Sequence, residues 1–187
     1  MGKLVRFDFP ENIHFITTSC YNRLSLFSSD KMKTTFIQSV KHIRNKYDFK
    51  LFGYIIMPEH IHLLLQTQKD KTVSDVMREI KQTCAFNALQ ILKTNNTKST
   101  LEKLKRNTGR KTERKYNFWK PRFYDFNIYS EKKFKEKLDY CHKNPVTRGL
   151  VNDPSEWRFY SYRNYFLNDD SIISIDPLET SPPGAQG

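Results

Sequence analysis

The chain lacks a long hydrophobic run, lacks paired cysteines and carries too few acids to balance its bases, and each shortage removes a class of protein. No apolar stretch approaches the ~18 residues that a membrane-spanning helix requires, and the opening MGKLVRFDFPEN has no apolar core of the secretory kind. A soluble, cytoplasmic protein with no membrane partner is expected. Cys20, Cys84 and Cys141 are odd in number and widely spaced, with no CxxC pair, so neither a disulfide framework nor a thiolate zinc site is expected. At 187 residues there is enough chain for one ordinary core without covalent staples, and no internal repeat or linker divides it.

What is abundant is base and aromatic surface. Lys and Arg number 32 against 20 Asp and Glu, a net charge of +12, alongside 14 Phe, 10 Tyr and 2 Trp. That mixture suits a nucleic-acid groove, where cations neutralise phosphates and rings stack on bases. The charge is densest in residues 94–115, TNNTKSTLEKLKRNTGRKTERK, where few apolar side chains offer an anchor. The segment is expected to be an exposed, mobile basic insertion that meets a polyanion through Lys103, Lys105, Arg106, Arg110, Lys111, Arg114 and Lys115; a merely solvated loop is the alternative.

The chemistry centres on LFGYIIMPEHIHLLLQ, residues 51–66. Leu51–Met57 and Ile61–Leu65 each have strand length, and Pro58, which cannot donate to a central ladder, fits the turn between them. In such a hairpin His60 and His62 share one face with Cβ atoms roughly 6–7 Å apart, while Ile61, Leu63 and Leu65 line the other. Two imidazoles at that spacing either converge on one ion or sit solvated on an open strand face.

Around the hairpin the chain reads β-α-β-β-α-β. Asn12–Tyr21 is a strand with Ile13, Phe15 and Thr17 on one face, and Asp30–Tyr47 is an amphipathic helix. Thr72 caps a helix that frays near Thr94-Asn95-Asn96, and Tyr116–Tyr129 is a fourth strand interrupted at Pro121. This order predicts an α+β, ferredoxin-like antiparallel sheet with helices on one face and the other face open. A third helix, capped by Ser130, runs from Glu131 to about His142 and ends at Asn144-Pro145. A single domain over 1–175 and a disordered tail over 176–187 complete the expectation.

On that third helix Phe134, Leu138 and Cys141 form the core stripe, whereas Tyr140 and Asn144 lie one turn apart on another flank, with Lys133 and Lys137 nearby. A tyrosine so placed either packs or acts as a nucleophile beside the histidine pair.

Four stretches, MPEHIHLLL at 57–65, FWKPRFYDFNI at 118–128, YCHKNPVTRGLV at 140–151 and, more loosely, EWRFYSYRNY at 156–165, resemble the single-tyrosine HUH transposases, and within them the bacterial REP-associated tyrosine transposases. The resemblance implies that Tyr140 is the nucleophile and that His60, His62 and Asn144 bind a divalent ion, Mg²⁺ or Mn²⁺. It further implies a single-stranded DNA partner cut beside a folded hairpin, with a 5′-phosphotyrosine and a free 3′-OH formed, in a nucleoid-associated bacterial enzyme. Chemically this is coherent, because a phenol titrating near ~10 needs charge neutralisation at the phosphate to attack at neutral pH. Lys133 and Lys137 are expected against phosphates, Arg122 and Arg148 against the DNA, and Trp119, Phe123 and Tyr124, or residues near Arg148, against extruded bases. Two readings compete: a non-catalytic single-stranded nucleic-acid binding module, and a domesticated transposase that holds hairpins without cutting. Whether Tyr140 serves the histidines of its own chain or of a partner in a homodimer stays open.

Overall fold

Asp30–Tyr47 forms helix α1 over the predicted residues, because Ser29 offers its side chain to the Met32 amide and Asp48, in the left-handed region, closes the other end. The computed structural model of the protein describes residues 12–68, 70–106 and 115–178. Strands β1 (Ile13–Ser19), β2 (Lys50–Ile56), β3 (His60–Gln66) and β4 (Tyr124–Ile128) form one antiparallel sheet in the order β2-β3-β1-β4. Helix α2, Val73–Thr94, begins with a reciprocal capping box between Thr72 and Asp75. It lies beside α1 on one face of the sheet, over Ile16, Ile61, Leu63 and Leu65.

The other face is not open. Helix α4, Glu131–Thr147, seats Phe134, Leu138 and Cys141 on Phe15, Phe52, Ile55 and Leu64, so the histidine face is a second apolar layer and not a solvated platform. The physical reason is the composition of that face: beside the two histidines it carries Phe15, Ile55 and Leu64, which must be covered. Close approach requires Gly53, opposite Leu64 next to a β-bulge, where an added Cβ would stand 2.9 Å from the Leu138 Cδ1 atom. Gly53→Ala is therefore expected to destabilise the fold by about 1 kcal/mol, the low end of overpacking because a Leu methyl can give way. An unchanged urea midpoint would contradict this contact.

Three predicted boundaries need correction. Helix α4 continues through Pro145, since a proline near a helix end forfeits only one hydrogen bond. It closes at Gly149, φ +64°, where Leu150 N–H bonds the Pro145 carbonyl and Gly149 N–H the Val146 carbonyl, a Schellman ending. The fourth strand starts only at Tyr124, because Pro121 and the left-handed Arg122 (φ 63°) break the extended run; Tyr116 and Trp119 make isolated bridges to Lys105 and Cys20 instead. Asp176, expected in a disordered tail, accepts hydrogen bonds from Arg44 at 2.5 Å and the Leu51 amide at 2.6 Å.

The basic insertion is also partly built. Helix α3, Lys98–Leu104, buries Leu104, and the Asn117 amide bonds the Leu104 carbonyl at 2.8 Å. Lys103, Lys105, Arg106 and Lys115 are thus set at the end of α3 and on the short ladder after it, with Lys105 paired to Glu102. Arg110, Lys111 and Arg114 lie outside the described residues. The Trp157–Tyr162 stretch runs along β2, bridging Ile55 to Tyr160, and leads into helix α5, Tyr162–Leu167. No described helix is long and apolar enough to cross a membrane.

Candidate active site

The β3 register sets His60 opposite Ser19 and His62 opposite Thr17, and alternation along the strand turns both rings toward α4. They are 5% and 3% exposed, with ring centroids 4.8 Å apart. Each has its Nδ1 engaged. His60 Nδ1–H donates to Glu59 Oε1 at 3.0 Å, which fixes the tautomer because a carboxylate only accepts. His62 Nδ1 shares a 2.8 Å hydrogen bond with Thr17 Oγ1. Both rings are therefore held by one nitrogen with Nε2 as the remaining ligand atom, the arrangement that orients metal-binding histidines.

Helix α4 brings the rest. Asn144 is buried, with Nδ2 at 3.5 Å from His62 Nε2 and with its Oδ1 atom buried and unpartnered. One turn earlier Tyr140 is 52% exposed, its ring 5.3 Å from His62 and 6.1 Å from Phe15, edge-on to both. The tyrosine thus stands against the histidine pair of its own chain. Phe15 stacks on His62 at 5.3 Å. An orphaned amide oxygen beside two oriented imidazoles is a donor set that fits a divalent cation. Among the described residues no three His, Cys, Asp or Glu side chains form a group that could hold a metal ion; the third polar side chain beside the two imidazoles is the Asn144 amide.

Burial shapes the protonation. His62 is pushed down to about 3, first by burial and then by His60, with Glu59 opposing; His60 is also lowered, again first by burial. Both are neutral near pH 7, as ligation demands. On the back of α4, His142 bonds Ser161 through Nε2 at 3.0 Å beneath the rings of Tyr160 and Tyr162, and burial takes it to about 4 against the pull of Asp139. The unfolded chain takes up protons on these histidines near ~6.5 while the native chain does not, so stability is full above that pH and falls as pH drops toward 4. Urea midpoints should therefore fall between about pH 7.5 and 5, before carboxylates titrate, and His142→Gln should flatten the slope. A midpoint constant over that interval would refute the assignment.

Glu59 was not singled out from the sequence, yet one of its oxygens accepts from His60, from Arg148 at 2.8 Å and from Arg23 at 3.1 Å. Arg148 follows α4 and meets this carboxylate at the site's rim. Lys137, one helical turn before Tyr140, has its Nζ 5.4 Å from the Phe15 ring centroid and 4.9 Å from that of Phe126, and both it and Lys133 pair with Glu136. Of the three stacking candidates, Tyr124 alone faces solvent, 51% exposed in the same sheet row as Thr17 and His62. Trp119 is corrected: its Nε1–H donates to the Lys81 carbonyl and its ring packs with Phe27 and Phe118, a core role on the α1–α2 face. Phe123 packs against the same core, and Arg122 is exposed at the turn into β4.

The site is thus a four-stranded antiparallel sheet that presents a His-x-His pair to a helix-borne tyrosine. The sequence matches the family described as "Transposase IS200 like" over residues 9–144, and the chain belongs to that family. Over 162 residues it is 26% identical to a putative REP-associated tyrosine transposase of Haemophilus influenzae, covering 84% of each chain. Over 167 residues it is 27% identical to the REP-associated tyrosine transposase of Escherichia coli, covering 87% of this chain and 83% of that one. A solved REP-associated tyrosine transposase bound to a REP hairpin shares the fold, with a TM-score of 0.68 at 21% identity over 100% of this chain and 98% of the other.

Proposed function

We propose that the protein is a metal-dependent endonuclease and strand transferase that cuts single-stranded DNA beside a hairpin through a 5′-phosphotyrosine. The observation that carries this reading is the convergence on His62 of Tyr140 and Asn144, one helical turn apart. The Tyr140 phenol loses its proton and its oxygen attacks the phosphorus; the bond to the 3′-oxygen breaks, and that oxygen leaves as a hydroxyl. Attack by a 3′-OH on the phosphotyrosine reverses the step and joins strands. His60 Nε2, His62 Nε2 and Asn144 Oδ1 would hold Mg²⁺ or Mn²⁺, which when bound neutralises the phosphate and the departing oxygen. The surrounding residues do the rest: Glu59 and Thr17 orient the imidazoles, Phe15 buttresses His62, and Lys137 adds a cation beside the tyrosine.

The fold relative that carries a REP hairpin supports a hairpin substrate here, and the +12 charge supports a polyanion. A hairpin from palindromic repeats flanking the gene, with single-stranded flanks and a 3′ label, tests the reading. With Mg²⁺ or Mn²⁺ the label should migrate with denatured protein and a fragment ending in 3′-OH should be released. Binding without adduct would favour the non-catalytic module.

The basic insertion is proposed to supply affinity and no chemistry. If about four of Lys103, Lys105, Arg106, Arg110, Lys111, Arg114 and Lys115 meet phosphates, replacing all seven by Gln should reduce the log K against log[salt] slope by about 3–4, at roughly 0.7–0.9 per contact. Equal slopes in a salt titration would make the segment a solvated insertion.

A further inference from the structure

We propose that Glu59 is the positioning residue of this centre: it holds His60 with Nε2 toward the ion and gathers Arg23 and Arg148 at the rim as a phosphate clamp. The inference rests on the metal-dependent reading above and extends it to residues outside the tyrosine, histidine and asparagine set. Glu59 is buried, yet a single oxygen, Oε1, meets His60 Nδ1 at 3.0 Å, Arg148 Nη1 at 2.8 Å and Arg23 Nη2 at 3.1 Å. One carboxylate facing two guanidinium groups leaves a net positive rim, with the Arg23 and Arg148 side chains 61% and 45% exposed. Planar guanidinium forks that retain unused N–H donors are suited to a phosphate oxygen.

The backbone is shaped to the same end. As β1 leaves the sheet, Asn22 and Arg23 adopt successive left-handed conformations, φ 49° and 51°, uncommon for residues with side chains. The Cys20 amide bonds the Glu59 carbonyl at 2.9 Å, which ties that turn to the residue it serves. Arg148, the C-cap of α4, reaches the same carboxylate oxygen from the end of that helix. Glu59 therefore joins the hairpin that carries the histidines, the loop after β1, and the end of the helix that carries Tyr140.

Glu59→Gln and Glu59→Ala separate the two tasks. A Gln oxygen can still accept from His60 Nδ1–H but offers no charge to the arginines, whereas Ala abolishes both. Imidazole ¹⁵N spectra of the metal-free, DNA-free full chain should show His60 protonated on Nδ1 in wild type and in E59Q, and mixed tautomers in E59A. Mn²⁺ affinity, followed by the electron paramagnetic resonance signal of the free ion, should fall about 10- to 100-fold in E59A and stay near wild type in E59Q. Arg23→Gln and Arg148→Gln should leave Mn²⁺ affinity unchanged and weaken binding of single-stranded flanks relative to the hairpin stem alone. Protonation of wild-type His60 on Nε2 overturns the proposal even if E59A fails to fold. So does a folded E59A that keeps both the tautomer and Mn²⁺ affinity. Because the tautomer is read without DNA, absence of cleavage by the wild type would sink the functional reading and leave this measurement standing.

Discussion

Tyr140→Phe should abolish the covalent protein–DNA adduct while leaving the fold and hairpin binding intact. The ring is held edge-on by Phe15 and His62, contacts that Phe reproduces, and half of the side chain already faces solvent. Stability should therefore change by less than about 0.5 kcal/mol. Affinity rests on cations distributed over the surface, so the lost hydroxyl is a small part of it. Chemistry is different in kind, because no rate remains once the attacking oxygen is gone. Labelled hairpin DNA, boiled in detergent after incubation, reports the outcome directly. An adduct formed by the Phe variant would mean that another side chain attacks, and the role given to Tyr140 would be wrong.

Elements whose cause is local were legible in the chain. The Thr72 and Ser130 caps mark helix starts because each satisfies an orphan amide three residues on, and two apolar runs of strand length on either side of Pro58 specify the hairpin. Features that depend on tertiary partners were not. Pro145 reads as a stop, and only the Gly149 closure shows how α4 continues past it. Leu104 anchors α3 within a run whose charge conceals it. Trp119 looks like a stacking ring until its indole N–H is seen bonded to the Lys81 carbonyl in the core. Tyr140, His60, His62 and Asn144 are candidates from their types and spacing, and it is the resemblance to the HUH transposases that implies their roles. Glu59 and Arg23 could not be named, since a carboxylate beside a histidine carries no direction in sequence and Arg23 reaches it only through a left-handed turn. The signal was nonetheless present, as a Glu directly before the first histidine of an MPEH turn.

Replacing His60 and His62 by Ala should reduce cleavage on the order of 10³-fold or more, corresponding to the several kcal/mol that a cation at the phosphate supplies. Wild-type activity should equally require added Mg²⁺ or Mn²⁺. The two rings lie 4.8 Å apart, neutral near pH 7, each tethered through Nδ1, so removing either takes away a buried, oriented imidazole and not a solvated side chain. Asn144→Ala should cost less, since a neutral amide oxygen is the weakest of the three donors; its unpartnered Oδ1 makes the apo fold largely indifferent to the change. Loss of the His62 ring also removes the stack on Phe15, so thermal unfolding must accompany the rates to separate lost chemistry from lost fold. Hairpin affinity at fixed salt should stay within a few-fold of wild type, because phosphate contacts elsewhere carry it. Cleavage undiminished in excess EDTA would remove the ion from the mechanism and leave the two histidines as buried supports for the tyrosine helix.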